Sequence, residues 1–173
     1  MSEHHIKRLI LMRHAKAAFP LGVEDHDRPL AQRGHTEAPL AGKWLVDHEV
    51  EPDFILCSSA LRTRQTCTWV CQQLGDKAPT PKLESGLYAA GATQMLSVIN
   101  HVPETVKTLM VISHMPGIQS LALRLASRES DQDAYMDLAS GFPTSAFAVF
   151  EQAGDWATLD GQDALLKNFV VPR

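Results

Sequence analysis

The sequence predicts an α/β fold: a largely parallel central sheet built as a single domain. Two observations predict it. Short apolar runs of strand length alternate with segments whose apolar residues recur at helical spacing, the pattern of strand–helix units. The chain of 173 residues is long enough to bury one core, and no repeat, low-complexity tract or composition break divides it.

The elements follow in order. Ile6 to Met12 reads as a buried strand with a charged start. A polar, proline-containing loop, "FPLGVEDHDRPLAQRG", leads to a helix over "TEAPLAGKWLVDHEV", with Leu40, Ala41, Trp44 and Leu45 on one face and Pro39 confined to its first turn. "PDFILCSS" is the second apolar run. "ALRTRQTCTWVCQQLG" reads as a helix whose core stripe is Cys67, Val70, Cys71 and Leu74 and whose stop is Gly75. "DKAPTPKLESGLYAAG" reads as a linker before a shorter helix near Thr93 to His101. "TLMVISH" is the third apolar run, and "PGIQSLALRLAS" carries Ile118, Leu121, Ala122 and Leu125 at i, i+3, i+4 and i+7. "SAFAVFE" alternates like a late strand, antiparallel or at an edge. "WATLDG" and "NFVV" are weaker strand candidates.

Composition narrows the class of function. Hydrophobic residues make up 45% and charged residues 21%, ordinary for a globular protein. The net charge is −4 with no basic tract, which argues against a nucleic-acid partner. The N-terminal stretch lacks the apolar core and small-residue cleavage site of a signal peptide. No apolar segment approaches the roughly 18 residues that span a bilayer, so a cytoplasmic protein without a membrane partner is expected. The three cysteines, Cys57, Cys67 and Cys71, are too few and odd in number for a disulfide framework. Eight histidines are present, but no HExxH or CxxC spacing accompanies them, and His4 and His5 fall in residues 1–5, read as a flexible tail. A site without metal or cofactor is expected.

The ends of the three long apolar runs carry the chemistry. The first ends in Arg13-His14, the second in Ser58-Ser59 with Arg62 opening the next helix, the third in Ser113-His114. In open parallel sheets, ligands bind beyond the carboxyl ends of the strands, where helix N-termini attract anions. Enough chain separates the three ends for strand–helix crossovers, so one rim can hold all of them. Two guanidiniums match phosphate oxygens. One neutral imidazole can attack phosphorus if a backbone carbonyl holds its other nitrogen. A second, if cationic, can donate to the phosphoryl oxygens. Ser58 and Ser113 read as residues that position strand ends or cap helices, since neither has a G-x-S-x-G setting.

These blocks resemble the histidine phosphatase (phosphoglycerate mutase-like) superfamily. "LMRHAKA" resembles its Arg-His-Gly signature with Ala15 in the glycine position, "SSALRTRQT" its Ser-x-x-x-Arg-x-x-x-Thr block, and "VISHMPGI" the block of its second histidine. "RHAKA", "DHDRPLAQRG", "LYAAG" and the short chain look like the SixA-type phosphohistidine phosphatases. The resemblance implies a three-layer α/β/α domain without a large helical insertion. It implies His14 as nucleophile, Arg13 and Arg62 as phosphoryl ligands, and His114 as a group that binds and stabilises the phosphoryl. Arg64 competes with Arg62, and block alignment favours Arg62. Relatives use a carboxylic acid to protonate the leaving oxygen; Glu84 and Asp25 are both candidates. Arg28 reads as a loop anchor that pairs with a carboxylate. Lys16 reads equally as added positive potential or as surface charge.

The resulting expectation is a metal-independent phosphatase that works through a phosphohistidine enzyme. Its expected partner is a phosphohistidine-bearing protein, such as a phosphocarrier or phosphotransfer domain. A small phosphomonoester substrate is the first alternative, and a phospho-ligand binding module with little turnover is the second.

Overall fold

A computed structural model describes residues 6–173, so the expected tail and His4 and His5 lie outside the described residues. Six strands, β1 (Lys7–Arg13), β2 (Phe54–Ser58), β3 (Lys82–Glu84), β4 (Thr108–Ser113), β5 (Phe147–Gln152) and β6 (Leu165–Val170), form one sheet in the order β3-β2-β4-β1-β5-β6. The first four sheet positions are parallel, and β5 runs antiparallel to both β1 and β6. Helices α1 (Gln32–Asp47), α2 (Leu61–Leu74), α3 (Ala92–Asn100), α4 (Gly117–Leu125) and α5 (Gln132–Ser140) cover the two faces.

The period of two along a strand sorts the core into two layers. Leu9, Leu11, Leu109 and Val111 join the α3, α4 and α5 side chains on one face. Ile10, Met12, Met110 and Ile112 join those of α1 and α2 on the other. Both faces are therefore dry, which explains why β1 and β4 read as continuous apolar runs without alternation. A Leu9→Ala or Ile10→Ala change would leave a cavity costing about 2–5 kcal/mol.

The α/β class and the parallel core match the sequence expectation; several details differ. Helix α1 starts at Gln32, so Pro39 lies inside it and not in its first turn. Pro39 denies the His35 carbonyl its helical partner, and both residues are only half-buried, which limits the cost. The stretch "SAFAVFE" is an antiparallel strand, but it lies inside the sheet between β1 and β6, and its near-complete burial removes the expected alternation. "WATLDG" holds a single 3₁₀ turn at Trp156–Thr158 instead of a strand, and all of "NFVV" but Val171 falls in β6. The expected linker contains β3. Gly75, at φ +64, ends α2 as expected.

Candidate active site

Strands β1 and β4 are neighbours, with Arg13 in register with Ser113. They leave the sheet in the same direction, so the next residue of each, His14 and His114, sit side by side with ring centroids 5.3 Å apart. Strand β2 flanks β4 on the other side and ends at Ser58; after a short turn α2 begins, with Arg62 buried in its first turn. This is the switch point of the sheet, where strand order reverses and the loops diverge to leave a crevice. One pocket there is lined by Arg13, His14, Lys16, Arg28, Arg62 and His114, together with Phe19 and Thr144.

The backbone around His14 is fixed from three directions. Its N–H donates to the Ser113 carbonyl at 3.1 Å, and its carbonyl accepts from the Ser145 N–H at 3.1 Å. The following N–H, of Ala15, donates to the Thr66 hydroxyl at 3.0 Å. Ser145 reaches His14 from a left-handed conformation, φ +70, which is rare for a residue with a Cβ. Ala15 is fully buried against Leu30, Ala38 and Trp69, so its methyl has a small apolar niche of its own.

The His14 ring is oriented by its neighbour: Nδ1 lies 2.7 Å from the Ala15 carbonyl, which can only accept. Nδ1 therefore carries the proton and Nε2 the lone pair. Burial pushes this imidazole down to about 3 from 6.5, the Ala15 bond opposes the shift, and the positive surroundings of Arg62 and Arg13 add to it. His14 is thus a neutral imidazole with a free Nε2 at neutral pH.

Around it stand the anion-binding groups. Arg13 donates through Nη1 to the Phe142 carbonyl at 2.8 Å. Arg62 donates through Nη1 to the Asp25 carbonyl at 2.7 Å and pairs through Nη2 with Asp25 Oδ2 at 3.1 Å. His114 Nε2 lies 2.7 Å from Ser58 Oγ. Burial, then the nearby Arg62, pushes His114 down to about 4. The second histidine, whose charge the sequence left open, is therefore neutral in the open site, because two guanidiniums and a dry wall disfavour a third positive charge. Arg13 Nε and His114 Nδ1 are two of the five buried polar side-chain atoms without a hydrogen-bond partner among the described residues. Buried donors are normally satisfied, so their gathering at one pocket marks a place for an acceptor-rich anion.

The remaining candidates divide. Arg62 faces the pocket, whereas Arg64 turns away, donates to the Ser59 carbonyl and lines a separate groove beside Cys67 and Pro81. Lys16 reaches the pocket wall, and Arg28 pairs with Asp25 Oδ1 at 3.0 Å as well as lining the pocket. Asp25 contacts Arg62, but Tyr88, Arg28 and Arg62 together hold its carboxyl well below the usual carboxylate range. It ties the loop to Arg62 as an anion and has no proton to give. Glu84 is not brought to this pocket: its carboxylate accepts from the Gly86 N–H and lines a different cleft beside Phe54 and His101.

Five contributors were not singled out for these roles in the sequence. Ser58 and Ser113 cap no helix; Ser58 engages His114 and Ser113 Oγ donates to the Leu87 carbonyl. Thr66, Tyr88 and Ser145 hold neighbours in place. Thr66 lies four residues after Arg62 on one helix face, a spacing that could have marked it.

The set can bind a phosphoryl group through fixed N–H donors and attack it with a neutral nitrogen. No cluster of three or more metal-ligating side chains occurs among the described residues, and no helix among them is long and apolar enough to cross a membrane. Comparisons agree with this chemistry. Residues 9–88 match the model of the histidine phosphatase superfamily, branch 1. An uncharacterised protein of Mycobacterium tuberculosis is 44% identical over 94% of this chain and 100% of its own length. Phosphohistidine phosphatase SixA of Escherichia coli is 32% identical over 71% of this chain and 76% of its own. A solved structure from Nakamurella multipartitia, a candidate phosphohistidine phosphatase SixA, superposes with TM-score 0.84 at 32% identity, covering 96% of each chain. The tungstate complex of the protein histidine phosphatase SixA gives 0.72 at 26% identity, covering 95% of this chain and 97% of that one.

Proposed function

Because the chain belongs to the histidine phosphatase superfamily as a SixA-type phosphatase, we propose that it removes phosphoryl groups from phosphohistidine on proteins, without metal, through a phosphorylated His14. The observation that carries the reading is the His14 ring: its Nδ1 is bonded to the Ala15 carbonyl, it is neutral, and Nε2 is free.

The steps follow from that ring. Nε2 attacks phosphorus in line, and Arg13, Arg62 and His114 hold the phosphoryl oxygens as charge spreads over them. The substrate imidazole, its other ring nitrogen already protonated from water, leaves as neutral imidazole when the N–P bond breaks. Water then attacks the phosphorus on His14 and releases phosphate. Two guanidiniums supply the charge that Mg²⁺ supplies elsewhere, and the pocket wall offers no carboxylate of the kind Mg²⁺ favours.

Two features support phosphohistidine over an alkyl phosphate. The pocket wall carries no carboxylic acid to protonate an alkoxide, and an imidazole leaves without one. The cavity, about 250 Å³, is smaller than the roughly 300–1,000 Å³ of sites that enclose a whole small molecule, so it suits a group presented from outside. A cytoplasmic location agrees with such a partner.

The test is an assay with EDTA present, comparing a histidine-phosphorylated protein with a panel of small phosphomonoesters, and trapping of the phosphoenzyme in alkaline detergent. Preference for the phosphoprotein and an acid-labile label on His14 are expected. Preference for one small ester would move the substrate assignment, and tight phosphate binding without turnover would leave a binding module.

A further inference from the structure

The loop after β1 leaves and returns through a closed neck. Ala17 bridges Leu30, the Ala18 N–H donates to the Pro29 carbonyl at 2.8 Å, and Arg28 Nε donates to the Ala18 carbonyl at 2.9 Å. Its descending arm is tied down by Asp25 on Arg62 and by His26 Nε2 at 2.9 Å from Ser59 Oγ. The loop is thus held at its base and along one side.

Its tip is apolar and open. Phe19 is 75% exposed, Leu21 100% and Val23 40%, with Gly22 supplying the turn at φ +76. Three of the eight exposed large hydrophobic residues among the described residues fall within this one short tip. Scattered exposed apolar residues need no explanation, but a cluster on a braced loop beside a pocket does. Phe19 joins the two regions: its ring lies 3.6 Å from the Arg28 guanidinium carbon and it lines the same pocket as His14. Leu21 and Val23 lie beyond it, outside the pocket wall.

We infer that the Phe19–Val23 tip is a docking rim for the protein that carries the phosphohistidine, covered by apolar side chains flanking the phosphorylated residue. The inference rests on the substrate reading above and deepens it. Charge and shape together select this occupant. The pocket side is cationic through Arg13, Lys16, Arg28 and Arg62 and takes the phosphoryl group. The fully exposed Leu21 lies outside the wall that a small phosphate ester would touch, so such an ester would leave it bare, whereas a protein surface continuous with the phosphoryl group in the cationic pocket would cover it. Because the neck and the Asp25 arm hold the loop, little ordering cost opposes docking.

The test uses the full chain carrying L21S and V23S together; Phe19 is kept because it lines the pocket. Both positions are exposed, so folding is not at risk. Two substrates are compared: a histidine-phosphorylated phosphocarrier protein and phosphoramidate. Losing two buried apolar side chains predicts a fall of roughly tenfold or more in kcat/KM on the phosphoprotein, through KM, with phosphoramidate hydrolysis unchanged within about twofold. Equal kinetics of variant and wild type on the phosphoprotein would overturn the inference, and so would a parallel loss on phosphoramidate, which would make the loop a pocket wall. A wild-type dimer that the variant converts to monomer, with phosphoprotein kinetics intact, would assign the tip to a second copy instead. Failure of the substrate reading is separately visible: the wild type would then hydrolyse phosphoramidate and ignore the phosphoprotein.

Discussion

Ser58 Oγ lies 2.7 Å from His114 Nε2, and both residues are buried. The only other contact of the Ser58 hydroxyl is a long one from a donor, the Ala60 N–H at 3.5 Å, so among the described residues the His114 ring is the one acceptor in reach of its proton. Nε2 is then the acceptor, and Nδ1, with no protein partner, is the ring nitrogen left to donate to a ligand. Ser58→Ala should lower kcat about tenfold, the worth of one well-placed hydrogen bond, because the tautomer is no longer held. Steady-state kinetics checks this, and an unchanged kcat would mean that the hydroxyl does not set the ring.

The two buried histidines make stability depend on pH. Both are held below their ordinary value of 6.5, His14 at about 3 and His114 at about 4. The unfolded chain therefore binds more protons than the folded one in that window. Their contribution is complete above 6.5 and is lost as pH falls from there through about 4. Thermal unfolding of the wild type should weaken across this window, and His14→Gln or His114→Gln should flatten the profile. A wild-type profile that is flat, or that rises toward acid pH, would contradict the burial of neutral rings.

Arg62 and Arg64 share one helical turn but point to different places. Arg62→Ala should cost about 10²–10³ in kcat/KM, as expected for a donor aimed at developing charge, and Arg64→Ala much less. Glu84→Gln should be close to neutral for activity, since its carboxylate serves a backbone N–H elsewhere. Asp25→Asn should be felt mainly as a looser Arg62, with a weaker KM. Kinetics of the four variants on one substrate decides the order.

Thr66→Val keeps the shape of the side chain and removes the acceptor for the Ala15 N–H. A buried N–H left without a partner costs about 1–3 kcal/mol. Urea unfolding should show that loss, and kcat should fall with it because Ala15 also carries the carbonyl that holds His14 Nδ1.

The sheet and the residues that meet in the pocket were legible because both rest on local signals. Apolar runs ending in Arg13-His14 and Ser113-His114 need no distant information to be recognised. What escaped depended on tertiary contacts. Strand β3 carries only three residues and exposes Leu83, so nothing in its sequence outweighs its two charges and the prolines, Pro79 and Pro81, just before it. Helix α5 buries only Ala134 and Leu138, too little periodicity to read, although Asp131 capping the Ala134 N–H was a usable start signal. Glu84 and Asp25 were equal in sequence; only the fold separates one that caps a turn from one that grips Arg62. The charge of His114 could not be read either, because it depends on the burial and guanidiniums around it.

The three hydrogen bonds that fix the backbone at His14 come from Ser113, Thr66 and Ser145, residues far apart along the chain. Ser145, which makes the last of these, follows four of the six strands and all five helices in chain order. A nascent chain that has not yet released Ser145 from the ribosome therefore has a histidine at the end of β1 but no poised nucleophile. Phosphorylation of His14 would then require that the segment before β5 has folded back onto the end of β1, and a chain broken ahead of Ser145 would not compete for phosphoryl groups with intact molecules.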